Sequence, residues 1–187
     1  HIMRSIYKIV VCSLLTLSIT SCEKDLLEKE QYQKEIYLIG AYNRVWTTEV
    51  SYSNEEVKTY FTVSSSGTLA LDRDVNVKMK INEELVDIYN KKYWTVLNED
   101  KYYKSLDTDL YSIPSLENTV IKHAEGISAE VPVLIKTASL KIDQSYVIPV
   151  EIESTTGYPI SESGYKMLIL LKLKNDYSGS YQMSGHT

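Results

Sequence analysis

Short runs in which apolar and polar residues alternate recur along the chain between residues 35 and 174. The clearest run covers residues 75–81, where Val75, Val77, Met79 and Ile81 are separated by Asn and Lys residues. A period of two is typical of a β-strand that buries one face. Further runs, with turn residues between them, begin near residues 36, 45, 57, 111, 118, 131, 146 and 167. The pattern predicts seven or eight short strands and therefore an all-β fold, an antiparallel β-sandwich.

The period changes after Asn82, which can cap the start of a helix. Acidic residues follow it directly at Glu83 and Glu84, where the positive end of a helix dipole favours negative charge. The apolar residues then have helical spacing, and two lysines occupy the expected last turn: Leu85, Ile88, Tyr89, Lys91 and Lys92. This pattern predicts one helix of about ten residues from Glu83, inserted between strands.

A polar, tyrosine-rich connector without a strong period follows the predicted helix, from residue 94 to residue 111. Its aromatic side chains are Trp94, Tyr102, Tyr103 and Tyr111. Flat aromatic rings can stack on the C–H faces of sugars, and loops on a rigid scaffold often carry binding residues. We therefore interpret these four residues as candidates for carbohydrate binding. The alternative is that Trp94 packs the helix onto the sandwich while the tyrosines cover its flank.

The first 21 residues are organised like a bacterial export signal. Arg4 and Lys8 provide a short positive region, and residues 9–19 form an uncharged, mostly aliphatic core. That core is too short to span roughly 30 Å of hydrocarbon comfortably as a helix. The segment Leu-Ser-Ile-Thr-Ser-Cys, which ends at Cys22, resembles a bacterial lipobox. By this resemblance residues 1–21 are removed and lipid is attached to Cys22, which anchors the protein at the outer membrane or cell surface.

Two other interpretations of this N-terminus are a secretory signal that is cut elsewhere and an uncleaved helical anchor. Residues 22–34, which follow the lipobox cysteine, are dense in charge and poor in β-branched side chains. Such a composition is typical of a segment that cannot bury enough apolar surface to fold. It predicts a flexible tether between the lipid and the sandwich.

Composition excludes several classes of function. The chain of 187 residues has a net charge of −5, whereas a protein that binds duplex nucleic acid needs a basic face. The two cysteines are Cys12, within the predicted signal, and Cys22, so the mature domain has no thiol for a disulfide, a metal or a nucleophile. The 16 tyrosines, against one phenylalanine, favour exposed β-surfaces or sugar-facing platforms, although tyrosine is also a common strand residue.

The candidate catalytic and metal-binding residues are few. Asp72 with Asp74, and Asp107 with Asp109, could supply the two carboxylates of a glycosidase, but acidic residues two apart in polar loops usually face solvent. Asp107 and Asp109 could also bind calcium, although EF-hand spacing is missing. His123 alone forms neither a zinc site nor a nucleophile–base pair. The sequence has no nucleotide-binding or hydrolase motif, so we expect no enzyme activity, no metal site and no cofactor.

Several segments in this order resemble a Bacteroidetes lipoprotein domain, domain-of-unknown-function family 1735. They are residues 33–40 after the lipobox, 60–64, 82–90, 111–114, 145–150 and 174–179. The resemblance implies an immunoglobulin-like (Ig-like) sandwich over residues 35–174, at the N-terminus of a surface lipoprotein from a polysaccharide-utilisation system. It also implies that a second domain follows, so residues 175–187 are interpreted as a linker and the start of that domain. The family offers no agreed functional residues to carry over.

The function expected from the residues and the resemblance is that of a non-catalytic, cell-surface lipoprotein module. It would take part in glycan capture and utilisation as a binding or spacer domain. The alternatives are an accessory N-terminal domain of a glycoside hydrolase and a structural, adhesin-type surface protein. Expected partners are the membrane through the N-terminal lipid, a polysaccharide or oligosaccharide, and a surface transporter complex, with no nucleic acid.

Overall fold

Residues 33–175 are the part of the chain that the structure, a computed structural model, describes. The predicted signal peptide with Cys22, the predicted tether up to residue 32 and the segment from residue 176 onward lie outside it. Within the described residues, ten strands form two sheets, and one α-helix packs on one of them. No helix among these residues has the length and apolar character needed to cross a bilayer.

The elements follow one another in this order. They are β1 (Ile36–Leu38), β2 (Val45–Ser51), β3 (Glu56–Ser65), β4 (Val75–Ile81), α1 (Glu84–Tyr93), β5 (Lys104–Ser105), β6 (Tyr111–Ser112), β7 (Thr119–Ile121), β8 (Ser128–Lys136), β9 (Tyr146–Thr155) and β10 (Lys166–Lys174), with 3-10 turns at Ala41–Asn43, Val96–Lys101 and Thr108–Leu110.

Two sheets face one another across the core. The smaller has the strand order β1-β3-β8-β6, and the larger has β2-β10-β9-β4-β7 with β5 also paired to β9. Every pair is antiparallel except β2 with β10 and β5 with β9, which are parallel. The arrangement confirms the predicted all-β, Ig-like sandwich with one short inserted helix.

The chain crosses from the smaller to the larger sheet between β1 and β2, through a turn at Gly40. Its φ of 93° lies in the region that favours glycine. A Cβ at this position would lie 2.7 Å from Cε3 of Trp46, so a side chain would collide with the ring. Gly40 therefore allows β1 and β2 to belong to different sheets.

The core consists of the inward-facing side chains of both sheets. Alternate residues of β3, β4, β8 and β9 point inward, which confirms the predicted inward rows of these strands. Fully buried examples are Phe61, Val77, Met79, Val133 and Ile148. Burying such a side chain contributes about 1.5–3 kcal/mol, so these rows specify the register of each strand as well as stabilising the fold.

The inserted helix, α1, covers the outer face of the larger sheet. Asn82 caps it, because its Oδ1 accepts a hydrogen bond from the backbone N–H of Glu84 at 3.2 Å. Leu85 and Val86 then pack against outward-facing side chains of β9 and β10, among them Val147 and Leu168. This second, smaller core fixes α1 on the sheet, and both the helix and its cap are as predicted.

Pro149 marks the place where β9 changes its neighbour on one edge. Residues before it pair with β5, whereas residues after it pair with β4. The carbonyl oxygen of Pro149 accepts a hydrogen bond from the backbone N–H of Asn82 at 3.0 Å, just as the chain leaves β4 for α1. Proline has no N–H to offer in a ladder, so it suits the gap that the helical insertion leaves in the sheet.

Candidate functional site

The connector after α1 is fastened to the helix by one buried side chain, Asn90. Its Nδ2 donates to the carbonyl oxygen of Tyr103, and its Oδ1 accepts from the backbone N–H of the same residue, both at 2.9 Å. Asn90 is only 5% exposed. The two bonds satisfy both polar groups of the Tyr103 backbone, so the connector is held in one position along the helix.

Three tyrosines form a ladder between the connector and the end of α1. The rings of Tyr103 and Tyr89 are stacked, with centroids 5.1 Å apart and an interplanar angle of 10°. Tyr93 continues the ladder, its centroid 4.4 Å from that of Tyr89. Aromatic pairs in such arrangements add about 0.5–1.5 kcal/mol to the free energy of burial. Tyr103 and Tyr89 pack against the second core, and Tyr93, at the other end of the ladder, is 42% exposed to solvent.

Trp94 and Tyr102 line a cleft at the end of α1, which we call the tryptophan cleft. Its volume is about 360 Å³, and Thr95 and Val96 also line it. The Nζ of Lys101 lies 5.9 Å from the Trp94 ring, within the range of a cation–π contact. The indole Nε1 of Trp94 is buried and has no hydrogen-bond partner among the described residues.

A second cleft, the basic cleft, lies between α1 and the start of β10. Its volume is about 270 Å³, its floor includes Leu168, and Arg44, Lys92 and Lys166 supply its positive charges. Nη1 of Arg44 donates to the hydroxyl of Tyr93, and the guanidinium carbon lies 5.8 Å from the centre of that ring. No carboxylate lines this cleft in residues 33–175.

The two clefts adjoin, because Lys92 and Tyr93 line both of them. Together they form a groove around the C-terminal end of α1, which we call the helix groove. Apolar side chains are exposed beside it: Ile88 is 57%, Val96 77% and Leu97 93% exposed. Apolar side chains concentrated on one surface and rimmed by charge are typical of a binding site.

The structure separates the four aromatic residues predicted for carbohydrate binding. Trp94 and Tyr102 line the same cleft, whereas Tyr103 stacks beneath α1 as the inner member of the ladder. Tyr111 belongs to β6 in the smaller sheet and packs against the main core. Its hydroxyl is buried without a hydrogen-bond partner among the described residues, and burial, with a smaller effect of Glu83, raises its pKa to about 12.

The acidic pair Asp72 and Asp74 is engaged in local interactions. The guanidinium of Arg73 makes two hydrogen bonds to Asp72, at 2.8 and 2.9 Å, and these bonds together with one from the Tyr158 hydroxyl lower the pKa of that carboxyl. The His123 ring lies 2.5 Å from Asp74 and lowers its pKa. The general acid of a glycosidase needs a raised pKa, and neither of these carboxyls has one.

The other acidic pair, Asp107 and Asp109, forms a turn. Oδ1 of Asp107 accepts a hydrogen bond from the backbone N–H of Asp109 at 3.1 Å and caps the 3-10 turn that precedes β6. Within residues 33–175, no three His, Cys, Asp or Glu side chains are grouped closely enough to hold a metal ion. The Asp107 carboxylate serves the local chain conformation.

Sequence reasoning did not identify the basic cleft. Arg44 lies in the turn before β2, Lys92 and Tyr93 end α1, and Lys166 begins β10. Each was an ordinary polar or aromatic residue in its own segment, and only the packing of α1 on β10 brings them together. The one local signal was Tyr93, which follows Tyr89 at helical spacing and so extends the helix face toward solvent.

The family of the chain follows from its sequence and its fold together. A family model for an N-terminal domain matches residues 32–159, more than half of the chain. A multidomain protein from Bacteroides ovatus that includes DUF1735 has a similar fold, with a TM-score of 0.57 and 20% identity over 73% of this chain and 43% of that one. The chain belongs to the DUF1735 family of Bacteroidetes. Membership of DUF1735 confirms the resemblance noted in the sequence.

Other solved structures share the DUF1735 fold with this chain. One is an auxiliary nutrient binding protein from Bacteroides thetaiotaomicron (TM-score 0.58, 18% identity, covering 74% of this chain and 47% of that one). Another is EndoBT-3987 from the same species, solved with a Man5GlcNAc product (TM-score 0.53, 19% identity, covering 74% of this chain and 30% of that one). The chain thus spans less than half the length of each. No curated protein sequence matches it.

Proposed function

We propose that this DUF1735 domain is a non-catalytic, glycan-binding module of a cell-surface lipoprotein that takes part in glycan capture. The observation that carries the proposal is the helix groove, in which the exposed ring of Tyr93 and the half-buried rings of Trp94 and Tyr102 adjoin polar and charged side chains on the sandwich. Sugars are bound by this combination, because rings stack on their C–H faces while polar groups orient their hydroxyls. Of the two roles expected from the sequence, binding and spacing, the groove favours binding.

The location proposed for the module is the outer surface of the cell, through lipid on Cys22. The support is the lipobox-like segment that ends at this residue. Acyl chains contribute roughly 0.8 kcal/mol per buried CH₂, so two or more of them hold a protein at a bilayer firmly. A charged tether over residues 22–34 would then separate the sandwich from the lipid surface.

A second candidate is the accessory N-terminal domain of a larger glycoside hydrolase. It is favoured by the fold shared with EndoBT-3987, of which this chain covers 30%. In this case catalysis would belong to another domain. Asp72 and Asp74 of the sandwich have lowered pKa values, which do not suit a general acid. This is consistent with catalysis in another domain.

The direct test of glycan binding is an affinity-gel and glycan-array screen of residues 23–187, the predicted mature chain without its lipid-bearing Cys22, against plant, host and microbial polysaccharides. Two groove variants, Trp94→Ala and Tyr93→Ala, are compared with Tyr60→Ala. Tyr60 is a matched control because it is also 42% exposed, but it lies on the smaller sheet, away from the groove.

Binding that is lost in Trp94→Ala or Tyr93→Ala and retained in Tyr60→Ala supports the proposal. Stacking of a nucleic-acid base on one aromatic ring is worth about 1–3 kcal/mol. If a sugar ring stacks with a similar free energy, the loss of affinity should be about tenfold. A folded protein that retains no polysaccharide in either format overturns the binding role and leaves the spacer role. Melting curves for each variant exclude loss of fold as the cause.

A further inference from the structure

The positive charges of the basic cleft have no acidic partners. None of Arg44, Lys92 and Lys166 makes an ion pair with a carboxylate within 4.0 Å in residues 33–175. Arg44 and Lys92 are instead directed at the ring of Tyr93, at 5.8 and 5.7 Å from its centroid. Three cations around one small apolar cleft produce a local positive potential that is not neutralised from within.

The remainder of the same sheet is organised differently. Lys78 pairs with Glu153 at 2.9 Å, and Lys80 with Glu151 at 3.8 Å, across the outer face of β4 and β9. On β2 and β10, Glu49 pairs with Lys174, and the carboxylate pKa is lowered by that contact. The exposed charges of these strands therefore compensate one another. Other lysines of the described residues, such as Lys58, also have no ion pair, but Arg44, Lys92 and Lys166 together line one cleft that also has an aromatic ring and an apolar floor.

Arg44 is held in an unfavourable backbone conformation. Its φ of 64° makes it the one non-glycine residue with positive φ in the described part of the chain. An ordinary side chain in this left-handed region costs roughly 1–2 kcal/mol, and glycine avoids that cost. The position therefore bears an arginine where the backbone alone would favour glycine. A strained residue that also presents its charge to a cleft is a candidate for a binding role.

We propose that the basic cleft binds an acidic glycan, a chain of pyranose rings that bear carboxylate or sulfate groups. The proposal rests on the glycan-binding function proposed above and specifies its substrate class. The side chain of Tyr93, which is 42% exposed, offers an aromatic contact surface, and the guanidinium of Arg44 offers a planar fork that matches a carboxylate or sulfate. Lys92 and Lys166 add charge on either side, and the adjoining tryptophan cleft gives room for further sugar rings.

The domain as a whole would repel such a ligand, because the chain has a net charge of −5. Binding must therefore depend on the local charges of the cleft. These are exposed and subject to screening, since the Debye length falls from about 30 Å at 0.01 M salt to about 3 Å at 1 M. Salt should thus weaken binding of an acidic glycan and leave binding of a neutral one largely unchanged.

The experiment uses residues 23–187 and compares three probes by isothermal titration: oligogalacturonate, the same oligosaccharide with its carboxylates methyl-esterified, and a chondroitin sulfate oligosaccharide. Esterification keeps the sugar ring and removes the charge. The groove variants are Arg44→Gly, which also relieves the backbone, and Lys92→Gln. The control is Lys58→Gln, because the Nζ of Lys58 also lies over an exposed tyrosine, at 5.2 Å from the Tyr60 centroid, but on the other sheet.

The expected result is that at least one acidic probe binds and the esterified probe binds about tenfold more weakly or not at all. Arg44→Gly and Lys92→Gln should each reduce the affinity by about tenfold, whereas Lys58→Gln should not change it. Equal binding of the charged and esterified probes, or unchanged affinity in both groove variants, overturns the proposal.

This titration and the polysaccharide screen with Trp94→Ala, taken together, separate this inference from the proposed function. If a neutral polysaccharide binds in a manner that depends on Trp94 and the acidic probes do not bind, the acidic specificity is wrong and glycan binding stands. If neither neutral nor acidic glycans bind the folded protein, both are overturned.

Discussion

The guanidinium carbon of Arg44 lies 5.8 Å from the centre of the Tyr93 ring, and its Nη1 donates to the Tyr93 hydroxyl. This contact joins the turn before β2 to the last residue of α1. It also belongs to a residue whose φ is positive. The contact and the backbone therefore have opposite effects on stability, and substitutions at position 44 can separate them.

Arg44→Gly should be nearly neutral, whereas Arg44→Ala should destabilise the domain. Both variants lose a contact worth about 0.5–1 kcal/mol, but only glycine is free of the left-handed strain, which is roughly 1–2 kcal/mol. Alanine should therefore be less stable than glycine by about 1 kcal/mol, as measured by urea denaturation. This reverses the order found at ordinary loop positions, and an alanine variant as stable as the glycine variant would contradict it.

The longer elements of the fold could be predicted from the sequence because their periodicity is local. Residues 75–81 alternate cleanly and form β4, and Asn82 followed by two glutamates marks the start of α1. β5 was not identifiable as a strand, since it has only two residues and a run of two has no period, whereas the run predicted near residue 111 is β6, although only two of its residues pair. The parallel pairing of β2 with β10 also has no local signal, because it depends on how the two sheets close.

The candidate site was predictable only in part, because it lies largely in a connector whose sequence has no period. Trp94 and Tyr102 stand out in sequence because they are aromatic residues in a polar connector, and the structure places them in one cleft. Tyr103 has the same appearance in sequence but is stacked under the helix. The direction of a side chain in a segment without a period is decided by anchors such as Asn90, whose partner in the connector lies thirteen positions further on.

Tyr111→Phe should leave the stability of the sandwich unchanged or raise it by about 1 kcal/mol. The Tyr111 hydroxyl is buried and has no hydrogen-bond partner among the described residues, so removing it relieves a desolvation cost. Tyr146→Phe is the matched control, since the Tyr146 hydroxyl accepts a hydrogen bond from the Lys141 backbone N–H at 3.3 Å. That variant should lose about 1 kcal/mol. Thermal melting distinguishes them, and a clear loss of stability in Tyr111→Phe would show that its hydroxyl has a partner.

Stability should decline as the pH falls below about 4. Hydrogen bonds from Arg73, His123 and Lys174 lower the pKa values of Asp72, Asp74 and Glu49 respectively, so these groups bind protons less readily when folded than when unfolded. Their contribution is complete above the unfolded pKa values, near 4, and is lost as the pH falls through the folded ones.

Urea denaturation at pH values from 7 to 2 measures this decline. In the double variant Asp72→Asn with Asp74→Asn the decline should be smaller, because two of the titrating groups are gone. A profile that is the same in the double variant and in the unmodified protein would show that other carboxylates dominate.

Cys22→Ala should move the protein from the membrane fraction to the soluble periplasmic fraction without changing its fold. The reason is that the proposed anchor is lipid on this one cysteine. Cell fractionation measures the change, and Cys12→Ala, within the predicted signal, is the control that should remain in the membrane fraction. Persistent membrane association of Cys22→Ala would contradict the lipobox assignment.

Asn90→Ala should cost about 2–4 kcal/mol, a large effect for a residue outside the main core. It removes two hydrogen bonds at once and leaves both backbone groups of Tyr103 without partners in a partly buried site. The connector should then lose its fixed position along α1, so the tryptophan cleft should be disturbed as well. Asn98→Ala is the control: the Asn98 side chain donates through Nδ2 to the Thr95 hydroxyl within the connector, and its loss should cost less than about 0.5 kcal/mol. Hydrogen exchange of the Tyr103 amide, together with urea denaturation, measures both effects. If that amide stays as protected in Asn90→Ala as in the unmodified protein, the connector is held by the tyrosine ladder and not by Asn90.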